Sequence, residues 1–315
     1  MIQISSIVED FYKPSDELLA AVNTALFLQR PLLLSGDPGT GKTEFANFVA
    51  RQLQHAYPDK FKTANTMRFN TKSISQFTDL FYHYDAVAHF GDKEKKQKES
   101  FISFSSLGVA LLATLDENKD WYAFRNYESD VVKKRTGSGS VVLIDEIDKA
   151  PRDFPNDLLA ELEKPPFKFN IKELTGFEIT QNTEKPVFII ITSNNEKGLP
   201  DAFLRRCVFH HINFPEPEIL LDIVKTKLNS ENPLFADAIN MFLEFRNKKN
   251  INKPPATSEL IDWISCLDEN KLLNESLKDW KNATPKYRKQ IESTLGVIAK
   301  NKSDYETLKK DLGGK

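Results

Sequence analysis

The chain mixes short, unbroken apolar runs with longer stretches whose apolar positions recur every three or four residues. Leu32-Leu33-Leu34, Val141–Ile144 and Val187–Thr192 (VFIIIT) are runs of the first kind. Short runs with no polar alternation predict strands buried on both faces, as in a parallel sheet. Residues 15–29 (SDELLAAVNTALFLQ) carry apolar positions at helical spacing behind Ser15. That side chain suits a helix N-cap, with Glu17 in the first turn, and Pro31 ends the helix. Further helices are expected from about Thr43 to Gln54, over Ser105–Leu115 as an amphipathic segment, and over residues 153–163, with a strand near Thr66–Phe69. Phe167–Thr180, with Gly176 between strand-like segments, predicts a hairpin. Strands alternating with helices predict an α/β fold around a parallel sheet. After Pro215-Glu216-Pro217 the pattern turns wholly helical, broken at Lys253-Pro254-Pro255. A boundary near 215 is therefore expected, with an α/β domain over 1–215 and a helical domain over 216–315.

The first strand runs straight into Gly36-Asp37-Pro38-Gly39-Thr40-Gly41-Lys42-Thr43. A strand–loop–helix unit with the spacing GxxxxGK[ST] turns a row of backbone N–H groups towards one point at a helix N-terminus. The aligned peptide dipoles favour an anion there. Gly36, Gly39 and Gly41 let phosphate approach the backbone, Lys42 can reach the β- and γ-phosphates, and the Thr43 hydroxyl can join a magnesium shell. The second buried strand ends in Asp145-Glu146. A carboxylate at that strand end, Asp145, is suited to hold magnesium through water, and Glu146 to polarise an attacking water. A polar turn of Asp145, Glu146 and Asp148 is the plainer alternative. Asp145 follows Lys42 by 103 residues, so a segment is inserted between the two motifs. The expected ligands are ATP and Mg2+.

Composition narrows the picture without redirecting it. The 315 residues are 40% hydrophobic and 28% charged with a net charge of −2, which gives no reason to expect a nucleic-acid or membrane surface. Two cysteines and no CxxC argue against a disulfide framework or a zinc knuckle. The first residues, MIQISSIVEDFYKP, lack the pattern of a signal peptide, and no apolar stretch is long enough to span a bilayer, so a cytoplasmic protein is expected.

The runs GDPGTGKT, DLFYHYDAVAHF, VVLIDEIDKAP and PVFIIITSNNEKGLPDAFLRRCVFHHINFPEP resemble the AAA+ ATPases, and within them the MoxR-like branch. The resemblance implies a P-loop NTPase core with a five-stranded parallel sheet and flanking helices, a C-terminal all-helical lid, and a homo-oligomeric ring, usually a hexamer, with ATP between neighbours. It also implies a helical insert at about 70–115 and a hairpin at about 167–180. Asn194 matches the polar sensor near the γ-phosphate. Arg206 matches an arginine finger offered to the neighbouring subunit, with Arg205 as a substitute or companion. A guanidinium suits that role because it is always charged and binds bidentately. Many lids of this family present an arginine to the nucleotide at the start of a helix; the matching segment Lys253–Leu260 holds none, Ser258 occupies that place and Lys253 is the nearest cation.

The resemblance points to an ATP-hydrolysing chaperone or remodelling ATPase, acting on a client protein with a von Willebrand factor A-domain partner. Two other functions compete: the motor of a nucleic-acid-processing or restriction complex, and a nucleotide-gated scaffold with little hydrolysis. Weaker signals do not shift the choice. His83, His89, His210 and His211 match no zinc spacing and read as core or edge histidines, the last two following a strand. Phe77, Phe81, Tyr82, Tyr84 and Phe90 read as core aromatics. The charged run from Gly91 to Ser100 reads as an exposed loop.

Overall fold

Period-2 geometry sorts the buried strands onto two cores. The computed structural model describes residues 2–4, 10–116, 122–124, 135–161, 164–194 and 198–313. They divide into two units, one of Met1–Gly36 with Gly41–Ile212, the other of Asp37–Thr40 with Asn213–Lys315.

The first unit is built on strands β1 (Leu32–Ser35), β2 (Met67–Asn70), β5 (Ser140–Asp145), β8 (Val187–Ser193) and β9 (Val208–His211). They form one parallel sheet in the order β2-β5-β8-β1-β9. The three central strands are buried along their whole length, as their unbroken apolar runs require. Leu32, Leu34, Val141, Leu143, Phe188 and Ile190 face helices α1 (Asp16–Leu28) and α2 (Lys42–Ala56) in one core. Their neighbours Leu33, Val142, Ile144, Ile189 and Ile191 face the other. The edge strands β2 and β9 alternate between buried or half-buried and exposed positions. That alternation over four residues hides β9 in the sequence: His210 and His211 lie within the strand, not after it.

Ser15 caps α1 as its residue type predicts, accepting a hydrogen bond from the Leu18 N–H, a contact of about 1 kcal/mol. The segment between β2 and β5, where a helical insert is expected, joins short helices to a pair of strands. It contains an antiparallel pair, β3 (Tyr82–Tyr84) with β4 (Ile102–Phe104), a single-turn-and-a-half α3 (Ala86–Gly91), and α4 (Ser106–Ala113). Helix α4 is not amphipathic, because every residue from Leu107 to Ala113 is buried. Gly108 explains its position: a Cβ there would lie 1.9 Å from the Phe81 carbonyl oxygen. Phe81 and Tyr82 are core residues, and Phe77 and Tyr84 pack against that core. Phe90 is not, being 88% exposed. Of the charged run, Gly91 closes α3 and Lys98–Phe101 forms a 3-10 turn, which leaves the residues between as exposed or half-exposed loop. Helix α5 (Phe154–Glu161) follows β5, and the single turn α6 (Asp201–Leu204) precedes β9. The expected hairpin forms as β6 (Lys168–Asn170) against β7 (Glu178–Thr180), with Phe169 opposite Ile179.

In the second unit, helices α7 (Pro217–Leu228), α8 (Phe235–Arg246), α9 (Thr257–Glu269), α10 (Pro285–Glu292) and α11 (Lys302–Asp311) enclose a core centred on Phe242, Phe245 and Trp263. The one polar atom of Trp263 is satisfied, its indole N–H donating to Thr294 Oγ1 at 2.8 Å. Among the described residues no helix is long and apolar enough to cross a membrane.

Candidate functional site

The parallel sheet gathers the carboxyl ends of β1, β5 and β8, where ligands of open α/β sheets bind. After β1 the chain makes a tight turn. Gly36 and Gly41 have φ of +152° and +88°, and Gly41 is the N-cap of α2. A Cβ on Gly41 would also meet the Tyr12 ring at 3.1 Å, so the position is closed to other residues twice over. Lys42 is buried, and its ammonium donates to the Gly36 carbonyl at 2.7 Å across the turn. The loop residues Asp37–Thr40 belong to the second unit. Within that unit Asp37 Oδ2 lies 2.8 Å from Arg246 Nη2, and Thr257 Oγ1 donates to the Gly39 carbonyl at 2.7 Å. Gly39 has φ +76°, and a Cβ there would lie 2.5 Å from Ala256 Cβ.

Around Asp145 the structure joins residues far apart in sequence. Its side chain is all but buried, and the Thr43 hydroxyl lies 3.3 Å from both carboxylate oxygens. Thr192 Oγ1, at the end of β8, donates to Asp145 Oδ1 at 2.5 Å. The same hydroxyl accepts the Glu146 N–H at 2.8 Å, so one buried side chain fixes both acidic residues. Arg68 Nη2 pairs with Asp145 Oδ2 at 2.5 Å.

Glu146 has a left-handed backbone, φ +56° and ψ +53°. For a residue with a Cβ this costs about 1–2 kcal/mol, and it turns the Glu146 side chain away from that of Asp145. The Glu146 carboxylate accepts from Asn194 Nδ2 at 3.1 Å and pairs with Lys149 Nζ at 2.5 Å. The Asn194 N–H points at both oxygens of Asp148 at 3.3 Å. Asp148 is buried, which makes it an anchor of this turn rather than an exposed carboxylate.

The expected residues thus form two contiguous groups, Thr43 with Asp145 and Glu146 with Asn194. Arg205 and Arg206 stand apart. They precede β9, whose Val208 pairs with Leu32 and whose His211 pairs with Ser35. The glycine-rich loop follows Ser35, so the two arginines lie at the opposite end of the edge strand, roughly 13 Å away at 3.3 Å per residue. Ser258 is exposed, and its hydroxyl donates to Glu259 Oε2.

Three residues escaped sequence reasoning. Thr192 closes an apolar strand and reads as an ordinary β-former. Arg68 is a lone charge in a short strand; only its place two residues before Asn70, which pairs with Asp145, puts it on the carboxylate's face. Arg246 lies at the end of a helix with no motif around it. It is buried, donates to the Pro255 carbonyl, and covers the Phe214 ring at 3.8 Å.

The donor set suits a triphosphate with a hydrated divalent cation. One hydroxyl and one carboxylate supply hard oxygen ligands, and the positive φ of Gly36, Gly39 and Gly41 gives the loop the backbone a phosphate cradle needs. Residues 32–216 match the family described as "ATPase family associated with various cellular activities (AAA)". No curated protein matches the chain.

Proposed function

Since the chain belongs to the AAA family of ATPases, whose members bind ATP and generally assemble into rings, we propose that it is a ring-forming remodelling ATPase that hydrolyses ATP with magnesium. The observation that carries this reading is the joining of Thr43, in the first turn of α2, with Asp145, Thr192, Glu146 and Asn194 at the carboxyl ends of adjacent strands. A scaffold that only bound nucleotide would need the cradle without a held base.

In this reading Gly36, Asp37, Gly39, Thr40 and Gly41 present backbone N–H groups to the phosphates, and Pro38, which has no N–H, fixes the turn between them. Lys42 exchanges its Gly36 carbonyl for phosphate oxygens. Thr43 and Asp145 hold the magnesium ion, which would neutralise charge on the β- and γ-phosphates. Glu146 accepts a proton from the attacking water, with Asn194 fixing the direction of its carboxylate. Arg206, with Arg205 beside it, serves the next subunit's site; its position at the far end of β9 from the loop supports that assignment. In the helical lid, Arg246 rather than Lys253 is the cation that addresses the loop, through Asp37.

The remodelling role rests on the MoxR-like resemblance and on the insert. Ile74, Val87 and Phe90 are 80%, 85% and 88% exposed, large apolar side chains that a client segment could cover. A von Willebrand factor A-domain partner, a hexamer and a cytoplasmic setting belong to the same proposal.

The direct test is Glu146→Gln. ATP binding should stay within a few-fold of wild type while turnover falls about 100-fold or more, the usual worth of a positioned base. Wild-type turnover in that variant would remove Glu146 from the chemistry. An absence of ATP hydrolysis in the wild-type protein would favour the scaffold.

A further inference from the structure

We propose that Arg68 is a positioning residue that competes with the divalent cation for Asp145, so that the metal binds only together with nucleotide. This rests on the reading of Thr43 and Asp145 as the metal-holding pair. Asp145 is 4% exposed, and both of its carboxylate oxygens are engaged. Two of its partners, Thr43 and Thr192, are neutral hydroxyls. Among the described residues Arg68 is the cation that pairs with it.

Side-chain geometry makes this an exchangeable counter-ion. Arg68 lies on the sheet's edge strand, its register partner is Leu143, and Asn70 two residues on is paired with Asp145. Its guanidinium therefore reaches Asp145 diagonally along one face of the sheet. The Arg68 side chain is 50% exposed, so it can leave for water without opening the core. The backbone it hangs from is held independently, since the Arg68 carbonyl accepts from Ser106 Oγ at 2.7 Å. A hydroxyl can donate to Asp145 and still offer its oxygen to a metal, so Thr43 and Asp145 can bind metal without parting. A guanidinium has no lone pair to offer. It must either leave Oδ2 or sit a few ångströms from a second cation, where repulsion is strong. Nucleotide changes the balance because its phosphates bring negative charge that favours both cations.

The expectation is that Mn2+ alone binds the nucleotide-free protein weakly, and that Arg68→Gln raises that affinity by about tenfold or more. Arg68→Lys keeps the charge and should remain close to wild type. Electron paramagnetic resonance titration of free Mn2+, without nucleotide, reads this apart from any turnover. A second measurement needs no variant to fold differently. In arginine-labelled wild-type protein, the Arg68 Nε resonance should move on adding Mg2+ with ADP and stay in place with Mg2+ alone. The proposal is overturned if Arg68→Gln leaves Mn2+ affinity unchanged, if Arg68→Lys gains as much as Arg68→Gln, or if the resonance ignores Mg2+ with ADP. Fluorescent ATP binding to the same wild-type preparation separates the two claims. With no ATP bound the reading of the site fails; with ATP bound and Mn2+ affinity unchanged, only the role of Arg68 fails.

Discussion

Asp145 and Glu146 are adjacent, yet their carboxylates face different partners, because the chain turns through a left-handed residue at Glu146. Asp145 looks to Thr43 and Arg68, and Glu146 to Asn194 and Lys149. Thr192 holds the pair in this arrangement from below, through its hydroxyl. Thr192→Val removes a hydroxyl that donates to a buried carboxylate and accepts a backbone N–H. It should destabilise the protein by about 1–3 kcal/mol and lower turnover more than ATP affinity, whereas Thr192→Ser keeps both bonds. Denaturant melts with steady-state kinetics would check this, and equal loss in the Ser variant would contradict it. The glycine-rich loop and the acidic pair are legible in the sequence because each motif's chemistry lies within eight residues of chain. Thr192, Arg68 and Arg246 act across 47, 77 and 209 residues, and no local pattern marks such contacts.

At the scale of elements, the unbroken apolar strands and the capped helices follow from periodicity and residue type. The insert does not. Its short β3 and β4 alternate over three residues each, too few for a pattern, and α4 has no polar face because it is buried on every side. Gly108 offers a test of that packing. Glycine to alanine within a helix ordinarily stabilises by up to about 1 kcal/mol. Here the new Cβ would meet the Phe81 carbonyl, so Gly108→Ala should instead cost about 1–3 kcal/mol in a urea melt. In the helical unit Asp304 plays the structural part. Burial alone would raise its pKa. The Asn252 and Lys253 N–H groups and the Asn301 side chain outweigh burial and hold it below the ordinary carboxylate value. The folded unit therefore binds this proton more weakly than the unfolded chain. Its stabilising effect is complete above the ordinary carboxylate pKa and is lost as pH falls through the depressed one. Asp304→Asn should lower the melting temperature clearly at pH 7, and the gap to wild type should narrow towards pH 3. A gap that stayed constant would show that charge is not what these N–H groups recognise.

At the scale of the whole molecule, the proposed site is completed by a neighbouring subunit. The register of β9 sets Arg206 at the end of the strand remote from the glycine-rich loop, and rings are the general assembly of the family. The most direct measurement is ATP turnover in mixtures of Glu146→Gln and Arg206→Ala subunits. Each variant alone should be nearly inactive. In a mixed ring the Glu146→Gln subunit supplies the arginine to a neighbour whose base is intact, so turnover should rise well above either parent and peak at intermediate ratios. Mixtures no more active than the parents, with mixed assembly verified, would contradict the shared site.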